Sequence, residues 1–199
     1  MIELTLADIA DVRAYERQRD AFRAEVMELK KTRRLPIGPI VSVVFENRTT
    51  VLFQVQEMAR AEGMLRDDQI QGELDAYNPL IPGAGELSMT LFIELTSPAE
   101  LREWLPRLLG VERSVYLAVG VADQRLQLRT KVDPTHAAHL TRETATSSVH
   151  YVRIQVPDDL TASFAAGPVA IGIDHPDYRH ETSLPPDTIS SLISDWTAV

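Results

Sequence analysis

One spacing pattern governs the start of this chain. Val12, Tyr15, Arg19, Phe22, Val26 and Leu29 recur at intervals of 3, 4, 3, 4 and 3. At 3.6 residues per turn these positions fall on one stripe of a helix, interrupted in its apolar character only by Arg19. Flanking residues predict a helix over 7–34: Thr5 as cap, Asp8 and Asp11 near its positive end, and Lys30, Lys31, Arg33 and Arg34 near its negative end. Pro36 and Gly38 stop it. A helix of that length is about 40 Å long. Its stripe either lies on the protein's own sheet or pairs with another chain through Tyr15, Arg19, Phe22, Val26 and Leu29. The length favours the second reading slightly, because such a helix outruns many single-domain cores.

Beyond the helix the pattern shortens. Ile40 to Phe45 is a β-branched apolar run, and Asn47 or Thr49 caps a second helix over 49–63. Asp67 or Asp68 opens a third helix to Tyr77, closed by Asn78-Pro79. Strands are predicted over 87–95, 114–120, 124–131, 149–156 and 169–173, with helices over 98–109 and 186–196. Strand–helix alternation fails in the second half, which argues against a doubly wound nucleotide fold. The expected architecture is α+β: a mostly antiparallel sheet of five or six strands, a long N-terminal helix and a middle helical hairpin. All 199 residues fit one domain, with 7–34 packing on the sheet or on another chain.

Charge and cysteine content narrow the chemistry. Residues 1–34 hold eight basic and seven acidic side chains, a net of +1, so the residues beyond them carry −10 of the net −9. An acidic body repels phosphate backbones, which argues against nucleic-acid partners. The acidic start lacks the basic and apolar runs of a signal peptide, and no apolar stretch is long enough to span a bilayer, so a cytoplasmic protein without membrane contact is expected. With no cysteine, thiolate zinc and thiolate-held iron–sulfur clusters are excluded, and any metal must use His, Asp or Glu.

No motif names a reaction. The Walker lysine motif, the Gly-x-Ser-x-Gly elbow and the His-Glu-x-x-His pair are all missing. Asp174-His175-Pro176-Asp177-Tyr178-Arg179-His180-Glu181 reads as a strand end running into a polar loop. Asp174, His175 and Asp177, joined by His150, form a candidate iron, manganese or zinc site. His136 and His139, three residues apart on a short helix, form a weaker pair. On the middle helices Glu46, Arg48, Gln54, Gln56, Glu57, Tyr77 and Asn78 make a candidate binding or docking surface; otherwise they are a solvated face with ion pairs. The Lys30 to Arg34 run could bind an anion, but it reads first as charge complementing a helix end.

Several strings resemble a bacterial family of unknown function. They are Glu28-Leu29-Lys30-Lys31-Thr32-Arg33-Arg34, Phe45-Glu46-Asn47-Arg48-Thr49, Gln54-Val55-Gln56-Glu57-Met58, Glu73-Leu74-Asp75-Ala76-Tyr77-Asn78-Pro79, Val149-His150-Tyr151-Val152-Arg153 and Asp174-His175-Pro176-Asp177-Tyr178. Genes of that family often neighbour those of rubrerythrin-like and heterodisulfide-reductase-like iron–sulfur proteins. The resemblance therefore implies a non-catalytic accessory or interaction protein of a bacterial redox or oxidative-stress system, with a protein partner, such as one of those two kinds, or a homo-oligomer. Two alternatives stand beside it: a metal-dependent enzyme or metal-binding protein using the His/carboxylate site, and a small-molecule binding protein using the middle helices.

Overall fold

The computed structural model describes residues 3–121, 125–132 and 144–197. In chain order the elements are α1 (Val12–Lys31), β1 (Arg34–Pro36), β2 (Val41–Phe45), α2 (Arg48–Ala61), α3 (Asp67–Tyr77), β3 (Glu86–Ile93) and α4 (Pro98–Arg107). Then come β4 (Val115–Val119), β5 (Leu126–Arg129), β6 (Lys131–Val132), β7 (Val149–Gln155), α5 (Thr161–Ala166), β8 (Val169–His175), β9 (Tyr178–Ser183) and α6 (Pro186–Thr197). The α+β reading holds, and every strand pairing is antiparallel. The strands divide between two sheets, in the orders β1-β2-β3-β7-β6 and β5-β4-β8-β9. No helix among the described residues is long and apolar enough to cross a membrane.

Two sheets form because β-strand side chains alternate between faces. Val43 and Phe45 of β2, Met89 and Leu91 of β3, and Val152 and Ile154 of β7 join one core with Leu117, Val119, Ile171 and Ile173 of the four-stranded sheet. Phe164 of α5 and Ile189 and Leu192 of α6 complete it. Along one side β1 and β9 approach through side chains. Thr182 Oγ1 donates to the Pro36 carbonyl at 2.5 Å, and Tyr178 Oη to that of Ile37 at 2.6 Å. Gly38, with φ of 77°, sits under this junction; a Cβ there would lie 2.4 Å from the His180 ring.

The first helix is shorter than its sequence signals suggest, with 20 residues and a length of about 30 Å. Asp11, not Thr5, caps it, accepting from the Ala14 amide at 2.9 Å. Thr5 and Asp8 instead cap a separate turn, Leu6–Asp8. The Gln56 side chain holds both backbone groups of Ala10, which keeps the linking residues out of the helix. The far end is also corrected: Arg33 and Arg34 are not helix-end charges. Arg34 opens β1, while Arg33 is 1% exposed and donates to Asp195 at 2.7 Å and to the Ser191 carbonyl at 2.8 Å.

At Tyr15, Arg19 and Phe22 the stripe meets α2 of the same chain. Tyr15 and Val26 are fully buried, and Leu29 is half-buried. Phe22 meets Phe53 edge-on at 5.8 Å, and Arg19 pairs with Glu57 at 2.8 Å. Three of the five residues read as an interface with another chain, Tyr15, Arg19 and Phe22, are thus engaged within this one.

Removing one partner of a buried ion pair leaves the other charge uncompensated. Asp195→Ala is therefore expected to cost about 3 kcal/mol, measured as a lower urea midpoint with an unchanged slope.

Candidate functional site

The helical layer rests on the face of the five-stranded sheet that turns away from the main core. Asn47 caps α2, its side chain accepting from the Thr50 amide at 3.0 Å. Val51 and Val55 of α2 then pack with Leu74 of α3 and with Leu4, Leu80 and Ile81. The polar residues grouped from sequence divide between the two sides of α2.

Four of them fasten the N-terminal segment and α1. Arg48 pairs with Asp8 at 2.6 Å, and Gln56 holds Ala10. Glu57 accepts from Tyr15 Oη at 2.7 Å and from both Nε and Nη2 of Arg19. Asn78 bonds both backbone groups of Leu4, at 2.8 and 2.9 Å. The Arg19 hydrogen bond holds the Glu57 carboxyl down at about 2, reinforced by Tyr15 and opposed by burial. Burial, then the Glu57 carboxylate, pushes the Tyr15 phenol up.

Glu46, Gln54 and Tyr77 line a cavity of about 230 Å³ between α2 and the sheet. Its floor follows strand register: Val44, Thr90 and Tyr151 stand in one cross-sheet row, and Phe92 and Val149 in the next. Thr50, Val51 and Leu80 add to the walls, while α1 and β1 contribute Lys30 and Arg34. The Glu46 carboxylate is held on both oxygens, accepting from the Thr90 hydroxyl at 2.5 Å and from the Thr50 hydroxyl. Burial pushes the Tyr151 phenol up to about 12, helped by Tyr77 and Glu46, so it is a neutral hydroxyl at ordinary pH. Arg34 lies over the Phe92 ring at 5.3 Å and pairs with Glu94. Lys30 lies 5.5 Å from the Phe53 ring centroid and pairs with no carboxylate among the described residues. The lining contains no histidine, cysteine or serine. The arrangement offers cations, fixed hydroxyls, one carboxylate and aromatic surface, which suits binding and orientation.

The four metal candidates do not converge on a metal site. Asp174, His175 and Asp177 share one hairpin, where His175 Nδ1 accepts from the Asp177 amide at 3.3 Å, and their side chains are engaged elsewhere. His150, on β7 between the two sheets, places Nε2 at 2.8 Å from the Thr146 hydroxyl and 2.9 Å from the Ser147 carbonyl. Burial lowers its pKa, with nearby Glu112 pulling the other way. On β8 His175 turns inward, its Nε2 on the Leu109 carbonyl at 3.0 Å. Asp174 turns outward and takes the Arg129 guanidinium on both oxygens, at 2.7 and 2.6 Å. Asp177 lies 3.3 Å from Arg107. Among the described residues no three His, Asp or Glu side chains gather as a metal site; His136 and His139 lie outside the described residues. The stretch read as strand and polar loop is a β-hairpin: Pro176 and Asp177 form the turn, and His175 faces Tyr178 across it. Alternation along Tyr178–Ser183 was masked by its polar outer face.

Thr50, Thr90 and Tyr151 escaped the sequence reading as site residues, whereas Lys30 and Arg34 belong to the basic run weighed there as an anion site. One signal was present in β3, where Ser88, Thr90 and Phe92 alternate with Leu87, Met89 and Leu91. Such alternation marks a polar second face, and a polar face under a helix needs partners or a ligand.

The family described as "Protein of unknown function (DUF3501)" matches residues 3–196. A crystal structure of a novel protein of unknown function from Burkholderia pseudomallei K96243 is similar over 98% of this chain and 99% of its own, at 36% identity and a TM-score of 0.87. No curated protein matches the chain.

The Arg19–Glu57–Tyr15 cluster carries a pH signature. The Glu57 carboxyl lies below its ordinary 4.5 when folded, so its stabilisation is complete above that value and is lost as pH falls towards about 2. Glu57→Gln should flatten this part of the acid-unfolding curve, read by circular dichroism from pH 6 downwards.

Proposed function

The chain belongs to the DUF3501 family, and we propose that it is a small-molecule binding protein whose ligand occupies the cavity between α2 and the five-stranded sheet. One observation carries this reading: a partly buried carboxylate, Glu46, held in place by two threonine hydroxyls and facing an unfilled space. Packing alone would fill a helix–sheet junction with apolar side chains at near-crystalline density. Here the row beneath the helix carries Thr90 and Tyr151, and the space above them is left open. Fixed polar groups around a partly apolar hollow are the usual form of a ligand site.

This reading is preferred to a docking role for α1, because Tyr15, Arg19 and Phe22 of its stripe already meet α2. An accessory role in a redox or oxidative-stress system, implied by the sequence resemblance, is a separate proposal, and a ligand-loaded cavity is compatible with it.

Thermal unfolding against a broad panel of small metabolites tests the reading. A ligand at a hundred times its dissociation constant adds about 2.7 kcal/mol. Gln54→Trp, at an exposed position on the cavity wall, is expected to leave the unliganded transition in place and abolish the ligand-induced rise. A panel that stabilises the wild type and this variant equally would refute the cavity as the site.

A further inference from the structure

We propose that the ligand is a small aromatic monocarboxylate with a hydrogen-bond donor at its opposite end, bound with its acid at Lys30 and its donor at Glu46; this rests on the cavity being the binding site. The cavity is polarised. Lys30 is half-buried at one side and pairs with no carboxylate among the described residues. A partly desolvated ammonium group is stabilised by an incoming anion. Glu46 presents the opposite sign elsewhere in the lining. Each of its oxygens accepts from one threonine hydroxyl, and an ionised carboxylate has about four acceptor sites. Glu46 thus accepts a further donor and repels an acid, which fixes the ligand's direction.

Charge and size restrict the class further. Phosphate sites typically use helix N-termini or a free guanidinium fork. Here Asn47 caps the start of α2, Arg34 is engaged by Glu94, and Lys30 sits in the last turn of α1, where the helix dipole is negative. This balance suits one negative charge and disfavours two. Phe92, Tyr77 and Tyr151 add aromatic surface to the same lining, which matches a planar body. The volume of about 230 Å³ is the share of about eight waters, enough for a single ring with short substituents.

Matched probes test this: para-hydroxybenzoate and para-hydroxyphenylacetate, the unsubstituted acids benzoate and phenylacetate, and the uncharged tyrosol and para-hydroxybenzyl alcohol. Affinities are measured by calorimetry on the intact chain, with the broad metabolite panel run alongside. The hydroxy acids are expected to bind at least tenfold more tightly than either comparison set. Lys30→Met should remove the advantage over the alcohols, and Glu46→Gln the advantage over the unsubstituted acids. Lys30 lies at a helix end, so its variant is expected to stay folded and to keep the test decisive should Glu46→Gln unfold. Tighter binding of the alcohols than the acids, or acid binding unchanged by Lys30→Met, overturns the ligand class and leaves the cavity reading standing. Binding only of other panel members, at the cavity, does the same. No binding by any probe or panel member overturns both.

Discussion

A single carboxylate near the end of the chain sets the geometry of the helical layer. Asp195 accepts from Arg33 through one oxygen and from the Asn47 side chain, at 3.1 Å, through the other. Arg33 marks the exit from α1 into β1, and Asn47 marks the entry into α2. Both joints are held to α6 at the same point. Arg33 also accepts on its backbone carbonyl from the Phe45 amide, which ties the α1 exit to the end of β2. A buried guanidinium is expensive unless its donors are met, and here the carboxylate and the Ser191 carbonyl meet two of them. Glu46 and Thr50 flank the Asn47 joint, so the position of the cavity carboxylate follows from it.

Elements governed by local chemistry were legible in the sequence. Helix α3 runs between Asp67 and Tyr77 as its acidic start and the Asn78-Pro79 stop indicate, and of the two caps read for α2, Asn47 and Thr49, it is Asn47 that serves. The strands of the apolar runs appear within a few residues of their expected bounds. Local reasoning failed where a distant partner overrode it. Thr5 has the right chemistry for a cap, but Gln56 pins Ala10 and moves the helix start to Asp11. Arg33 has the right charge for a helix end, but Asp195 draws it into the interior.

The cavity was harder to see for the same reason. Glu46, Gln54 and Tyr77 were singled out, yet Lys30, Thr90 and Tyr151 reach them from three other parts of the chain, α1, β3 and β7. No spacing rule links such positions, because strand register brings Thr90 opposite Tyr151. Arg48, Gln56, Glu57 and Asn78 share the chemistry of the cavity residues but point to the other side of α2. Residue type identified polar anchoring in this region, and only the fold separated anchors from lining.

The Arg33–Asp195 pair spans 162 positions of sequence, which bears on how the molecule is made. Synthesis runs from the N-terminus, so Arg33, Asn47 and the strands of the five-stranded sheet emerge from the ribosome well before Asp195 exists. Until then, the guanidinium that fixes the helical layer lacks its counterion and favours solvent over the interior. The cavity therefore takes its final shape only as the last helix of the chain docks, and truncation of a dozen C-terminal residues would strike at a pocket whose lining lies entirely upstream of them.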